Sequence, residues 1–256
     1  MRKEIKGSKT ISIIIPAYNE EKRVDQCVLE LKDVLDKSDF PNYEIIVVDD
    51  GSHDQTYKIL SSKFSNTKNI IITTYSPNQG KGFALKHGFN ISTGNIVSFL
   101  DADLDLHPSH ILSLYSYMIE HNFDLVIGSK RHPQSVLNYP PLRKLYSNIY
   151  YYLIKLLFGL PVKDTQTGVK VFKREVLDYV MPKLLVRQFA FDLELLVVAH
   201  MGSYRIGEAP IMLEFKNKYA YTIGIKAVYK IFIDTMGIFY RRYVKGSYGR
   251  KRRLKR

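Results

Sequence analysis

Short apolar runs, each stopped by a polar cluster and followed by a stretch of helical periodicity, constrain this chain more than any other feature. Ile11–Ile15 is continuously apolar apart from Ser12 and ends at Pro16. Val24, Val28, Leu31 and Leu35 then recur at helical spacing with charges between them. Ile45–Val48 repeats the pattern and stops at Asp49-Asp50-Gly51-Ser52, with Asp54 placed to cap a helix carrying Tyr57, Ile59 and Leu60. Ile70–Thr74, Ile96–Leu100 and Leu125–Ile127 read as three more strands. Helices are predicted between them, near Gly82–Asn90 and from Pro108 to about His121. Runs this apolar suit strands buried on both faces. Alternating with helices, they imply right-handed crossovers and a mostly parallel central sheet flanked by helices, an α/β fold.

After about residue 130 the rhythm changes. Pro140-Pro141 opens an aromatic-rich helix to about Phe158, and Val169–Phe172 and Tyr204–Ala209 read as strands around a mixed segment, Phe189–Val198. A helix over Tyr221–Tyr243 would carry Ile225, Val228, Phe232, Met236 and Phe239 on one apolar face. The expected organisation is a catalytic body over 10–215, an amphipathic interfacial helix region over 216–245 and a basic tail over 246–256.

The net charge of +13 is concentrated at the end of the chain, where residues 241–256 hold nine basic side chains and no acid. Such a segment suits an anionic membrane surface or nucleic acid. No zinc signature or RNA-stacking motif accompanies it, so nucleic acid is not the expected partner. Met1–Thr10 has no apolar signal-peptide core. No apolar run reaches the ~20 residues that span a bilayer; the nearest approach, Leu145–Val162, is broken by Lys155, Gly159 and Pro161. The lone cysteine, Cys27, permits no internal disulfide and points to a reducing compartment. The expectation is a cytoplasmic protein, peripheral on the cytoplasmic face of a membrane; the sequence fixes no oligomeric state.

Ligands of parallel α/β sheets bind at the carboxyl ends of the strands. Here those ends carry Pro16–Glu20, Asp49-Asp50, Asp101-Ala102-Asp103 and Gly128–Arg131. Two carboxylates flanking one small residue repel each other, and a hard divalent cation such as Mg²⁺ or Mn²⁺ would relieve them. That cation would neutralise charge developing on a departing diphosphate. Helix capping is the plainer alternative for Asp101 and Asp103. Asp49 suits a base or ribose hydroxyl, or else simple turn chemistry. Gly80-Lys81-Gly82 is not a Walker loop, and no Gly-x-Gly-x-x-Gly follows the first strand. Its glycines are expected to let backbone approach a ligand closely.

In order along the chain stand IPAYNE (Ile15–Glu20), VDDGS (Val48–Ser52), NQGKGFALKHG (Asn78–Gly88) and DAD (Asp101–Asp103). Together they resemble the inverting family 2 glycosyltransferases of the GT-A fold. GSKRHP (Gly128–Pro133), DTQTGVKVFKRE (Asp164–Glu175) and FAFDLELL (Phe189–Leu196) resemble the polyprenyl-phosphate sugar synthases, dolichyl-phosphate glucosyltransferases in particular. The resemblance covers roughly residues 10–215 and implies transfer from UDP-glucose, or alternatively GDP-mannose, to a polyprenyl (dolichyl) phosphate. It implies a nucleotide pocket of Pro16, Tyr18, Glu20 and Asp49, with Lys81 in the donor-binding set. Asp101 and Asp103 would hold metal and diphosphate. Asp105, where related mannosyl enzymes carry a Gln, is the third candidate ligand. Lys130, Arg131 and Arg143 are candidates for phosphate contact, Arg143 for the acceptor. Asp192 would orient sugar hydroxyls, or act as the base if the acceptor were a glycan or protein hydroxyl.

Overall fold

The computed structural model describes residues 10–40, 42–137, 141–188, 190–213 and 225–249, with backbone alone at 137, 141–146 and 225–228. Four parallel strands form one half of the sheet: β1 (Thr10–Ala17), β2 (Asn42–Asp49), β3 (Ile70–Thr74) and β4 (Ile96–Leu100), in the order β3-β2-β1-β4. The helices between them are α1 (Val24–Asp36), α2 (Thr56–Phe64) and α3 (Lys81–Ile91). Side chains of β1 alternate between the two faces. Ile11, Ile13 and Ile15 pack with Val24, Val28, Leu31 and Leu35 of α1, whereas Ile14 packs with Ala84, Leu85 and Phe89 of α3. This period of two, with both faces covered, is why the strand reads as continuously apolar.

The other half of the sheet is mixed. It contains β5 (Leu125–Ser129), which follows α4 (His110–Glu120), then β7 (Val169–Lys173) and β8 (Ile206–Pro210), and the full order is β3-β2-β1-β4-β7-β5-β8. β7 runs antiparallel to both neighbours, pairing Leu100 with Val169 and Ile127 with Lys170. Its reversed direction decides the site, because the start of β7 lies beside the carboxyl ends of β4 and β5. The loop Asp164–Gly168 is thereby delivered to Asp101. A small parallel pair, β6 (Val136–Leu137) and β9 (Met212–Leu213), lies outside the main sheet.

Helix α5 (Pro141–Phe158) begins at the predicted Pro141. After β7 come α6 (Arg174–Val180), a single 3₁₀ turn (Met181–Lys183) and α7 (Phe191–Met201). The last is the segment the sequence leaves as mixed. From Phe191 to Ala199 every residue is buried, and a helix apolar all round shows no amphipathic period to read.

Helix α8 (Ile225–Tyr243) lies where a C-terminal helix was expected, although Tyr221–Gly224 fall outside the described residues. Of the expected apolar stripe, Phe239 packs against the core and Phe232 faces outward. Thr235 and Ile238 are fully buried, while Phe232 stays 46% exposed. On the same side of the helix the Arg241 guanidinium reaches Glu194 of α7 at 2.8 Å. The segment after α8 also docks inward. Tyr248 is buried, and its hydroxyl donates to Glu194 at 2.6 Å. The expected basic tail over 246–256 thus has a core residue near its start; residues 250–256, which carry all of its basic side chains, lie outside the described residues.

Candidate active site

The first two strand ends are laced into one floor. Asn19, at a positive φ of 55°, donates its N–H to Ser52 Oγ at 2.9 Å and accepts from His53 N at 2.9 Å. Glu20 N donates to Thr56 Oγ1 at 2.8 Å. The Glu20 carboxylate is paired with Arg23 at 2.9 Å; burial raises its pKa, and Arg23 partly offsets that. Pro16 sits within β1 opposite Val48, and Tyr18 is 42% exposed at the rim with its ring edge-on to His53. Asp49 is buried and accepts from Thr74 Oγ1 at 2.6 Å and Ser52 N at 3.3 Å, so in this structure it organises the turn.

Asp50, the second acid of the strand-end pair Asp49-Asp50, organises more than Asp49. Its carboxylate accepts four hydrogen bonds, each 2.8 Å long, from Tyr75 Oη, Gln79 N, Asn78 Nδ2 and Gly80 N. The signal available was the second acid of VDDGS paired with a loop rich in Asn and Gly, whose free N–H groups need an acceptor. This grip sets the entry to α3. Gly80 has φ of 98°, and a Cβ there would lie 2.5 Å from Arg187 O. A Cβ on Gly82 would meet the Phe191 ring. The expectation that these glycines make room for a ligand is therefore corrected. They make room for Arg187, Gln188 and Phe191, and Gly82 N donates to Arg187 O at 2.8 Å.

Lys81, the first residue of α3, is aimed at the acidic cluster. Its ammonium lies 2.6 Å from Asp101 Oδ1 and 3.7 Å from Asp192 Oδ2. The other oxygen of Asp192 is 2.8 Å from Lys170 Nζ, which also donates to Thr167 O. Lys170 is 1% exposed. It alternates with Val169 and Val171 along β7 and so faces α7, where Asp192 lies in the first turn. A lysine inside an otherwise apolar strand was its only trace in the sequence. Burial alone would push the Asp192 carboxyl up, but Lys170 and Lys81 outweigh it and hold the group below the ordinary range.

Asp101, Asp103 and Asp105 line one cavity of about 150 Å³ together with Leu106, Lys130, Gln166, Thr167, Gly168 and Leu213. Asp101 N donates to Gly168 O at 3.1 Å. The Asp101 carboxylate packs so closely on Gly168 that any side chain there would collide with Oδ2, which is why the loop needs glycine. Asp103 is pushed up to about 7 by burial first, then by Asp101 and Asp105. Among the described residues no three His, Cys, Asp or Glu side chains are grouped to hold a metal ion. The crowded carboxylates nevertheless fit a hard cation that takes part of its shell from ligand phosphates and water, the habit of Mg²⁺.

The remaining candidates separate. Lys130 lines the cavity, and its backbone N–H donates to Asp164 Oδ2 at 3.0 Å, tying the loop after β5 to the loop before β7. Arg131 is not part of that lining. Its guanidinium lies 4.9 Å over the Tyr151 ring and donates to Ser147 Oγ at 2.9 Å, so it anchors α5. Arg143 is in α5, with its side chain outside the described residues. Two polar atoms in the cavity wall, Gln166 Nε2 and Thr167 Oγ1, are buried without a hydrogen-bond partner. Thr167 contributes to holding the Asp164 carboxyl low, but its hydroxyl stops short of hydrogen-bond geometry.

A parallel sheet with one reversed strand, acidic residues at the end of β4 and a lysine-laced floor define a GT-A glycosyltransferase. Residues 12–181 match the family model described as glycosyl transferase family 2, and the chain belongs to that family. A dolichyl-phosphate beta-glucosyltransferase of Trichomonas vaginalis is 31% identical over 237 residues, covering 89% of this chain and 70% of the relative. The human dolichyl-phosphate beta-glucosyltransferase is 31% identical, covering 80% of this chain and 67% of its own length. The chain thus spans about two thirds of the eukaryotic relatives it matches. A UDP-N-acetylglucosamine–dolichyl-phosphate N-acetylglucosaminyltransferase of Methanococcus voltae is 31% identical over 255 residues, covering 90% of this chain and 98% of the relative. Among solved structures, glucosyl-3-phosphoglycerate synthase of Mycobacterium tuberculosis, in complex with Mn²⁺, UDP-glucose and phosphoglyceric acid, superposes with a TM-score of 0.67. It is 18% identical and covers 96% of this chain and 81% of that one, which shows the shared fold.

Proposed function

We propose that this enzyme moves glucose from UDP-glucose onto a polyprenyl (dolichyl) phosphate, with inversion at the anomeric carbon. The observation that carries the choice of acceptor is Asp192. A hydroxyl acceptor needs a base to take its proton. The carboxylate in position for that task is buried, bonded to Lys170 on one oxygen and within 3.7 Å of Lys81 on the other. A carboxylate held ionised by two ammonium groups is a weak base. A phosphate acceptor is already anionic and needs none. One of its oxygens bonds to the anomeric carbon, the bond from that carbon to the diphosphate breaks, and the electron pair leaves on the diphosphate. The names of the Trichomonas and human relatives point to the same acceptor.

Asp101 and Asp103, with Asp105 beside them, are the residues that would hold a Mg²⁺ or Mn²⁺ ion, and the Mn²⁺ in the M. tuberculosis complex supports that choice. When bound, the ion supplies charge neutralisation to the leaving diphosphate. Lys130 offsets repulsion between two anionic groups meeting at one carbon. Gln166 and Thr167, which line the same cavity, are the uncharged polar side chains nearest to where substrate oxygens would lie.

A lipid acceptor also suits the outer surface. Among the described residues no helix is long and apolar enough to cross a membrane. Ile149, Tyr152 and Leu156 of α5 are 58%, 66% and 84% exposed, and Tyr229, Phe232 and Ile233 of α8 are exposed as well. Exposed apolar and aromatic side chains, in a chain whose sequence after α8 is strongly basic, favour the plane of an anionic interface, and we place the enzyme there on the cytoplasmic face. The N-acetylglucosaminyl relative, matched almost end to end, makes UDP-N-acetylglucosamine the second donor to test. Purified enzyme is incubated with labelled UDP-glucose, UDP-N-acetylglucosamine or GDP-mannose, polyprenyl phosphate in anionic vesicles, and Mn²⁺. The expected result is organic-extractable label from UDP-glucose, abolished by EDTA. If no nucleotide sugar labels the lipid, the proposal fails.

A further inference from the structure

Lys81 lies between two carboxylates that are not equivalent. Behind it, Asp192 is 5% exposed, fixed in the first turn of α7 and pinned through its other oxygen by Lys170. In front of it, the Asp101 side chain is 32% exposed and borders the cavity. Lys81 itself is 24% exposed, and the α3 N-terminus that carries it is set by the four hydrogen bonds to Asp50. The ammonium is thus tethered to a fixed anion and touches an accessible one.

An ammonium and a divalent cation compete for the same carboxylate lone pairs, since both bind through them. Asp101 Oδ1 already serves Lys81 at 2.6 Å. A cation that takes this oxygen must displace the ammonium, leaving Lys81 near a new positive charge and in need of another anion. A diphosphate arriving with the cation supplies one. We infer that Lys81 is an exchangeable counter-ion: it neutralises Asp101 in the free enzyme, yields that oxygen to the entering cation, and, still held by Asp192, re-pairs with the donor's diphosphate. The inference rests on the metal-assisted reading proposed above. It adds a consequence that reading lacks, namely that the bare ion binds weakly and that ion and nucleotide strengthen each other's binding reciprocally.

The test measures Mn²⁺ dissociation constants of the full chain by electron paramagnetic resonance, with and without saturating UDP, for wild type, Lys81→Met and Lys81→Arg. Removing the competing ammonium should tighten bare Mn²⁺ binding roughly tenfold, the scale of one lost close charge near the surface. It should also shrink the enhancement given by UDP by a similar factor. Mn²⁺ should raise the melting temperature of Lys81→Met more than that of wild type. Lys81→Arg keeps the charge and grips a carboxylate with two donors, so its bare Mn²⁺ affinity should not exceed wild type. Unchanged or weaker bare Mn²⁺ binding in Lys81→Met overturns the inference alone. So does tighter binding in Lys81→Arg, which remains decisive if Lys81→Met does not fold. Failure of wild type to bind Mn²⁺ even at saturating UDP overturns the metal-assisted reading and the inference together.

Discussion

Lys170 and Asp192 show how much depends on single buried charges. Each is nearly inaccessible, and each satisfies the other at 2.8 Å. Breaking a buried pair from one side leaves an uncompensated charge at a cost of about 3–5 kcal/mol. Asp192→Asn should therefore destabilise the protein by that order in urea unfolding. Lys170→Met in the same chain should restore a large part of the loss, because the stranded ammonium is gone. Additive losses in the double variant would rule out the pairing. Neither partner's role was legible in the sequence beforehand. Asp192 stood out through the FAFDLELL resemblance, but Lys170 could be placed only once β7 had turned its alternate face toward α7.

At the scale of elements, α7 joins the site to the far end of the chain. Two residues beyond Asp192, Glu194 is wholly buried and accepts from Leu185 N, Val186 N, Arg241 and Tyr248 Oη, at 2.9, 2.8, 2.8 and 2.6 Å. Leu185 and Val186 lead into Arg187, whose carbonyl accepts from Gly82 N near the start of α3. One carboxylate thus fastens α8, the segment after it and the strap that buttresses α3. Glu194→Ala should cost at least about 2 kcal/mol through the stranded donors. It should also make residues 225–249 markedly more sensitive to limited proteolysis than the rest of the chain. Uniform sensitivity, or a stability within about 0.5 kcal/mol of wild type, a surface-like effect, would count against this anchoring role. The same grip turns Thr235, Ile238 and Arg241 inward and leaves Phe232 of the apolar stripe at the surface.

For the whole molecule, several buried acids are held ionised by partners on distant segments. Asp192 is offset by Lys170 and Lys81, and Asp164 by Lys130 and backbone N–H groups; Asp124, also partly buried, is held low by Arg205 N and Lys173. In each, burial raises the carboxyl and these contacts outweigh it, so the folded pKa lies below the ordinary 3.8. A depressed folded value contributes stability that is complete above the unfolded pKa and is lost as pH falls through the folded one. Urea stability should accordingly be flat with respect to these groups above about pH 5 and drop steeply below about pH 4. A plateau extending to about pH 2 would show that these pairings do not stabilise the native state.

The periodicities of the first hundred residues determined the parallel half of the sheet, its flanking helices and the strand ends where chemistry collects. Those features depend on neighbours in the chain: a side chain's face follows from its position in a repeat of two or of 3.6, and a polar cluster marks where a buried strand stops. Asp101 and Asp103 could be found that way and Asp105 only through the family resemblance; the structure gathers all three with Lys130 around one cavity. What only the tertiary structure decided depends on pairings between segments far apart. The reversal of β7 set Gly168 beside Asp101 and Lys170 beneath Asp192. The reach of Lys81 across to two carboxylates, the four-way grip of Asp50 and the return of Tyr248 to Glu194 were decided the same way. Such contacts follow no local period, because a buried charge answers to whichever opposite charge the fold brings within about 3 Å.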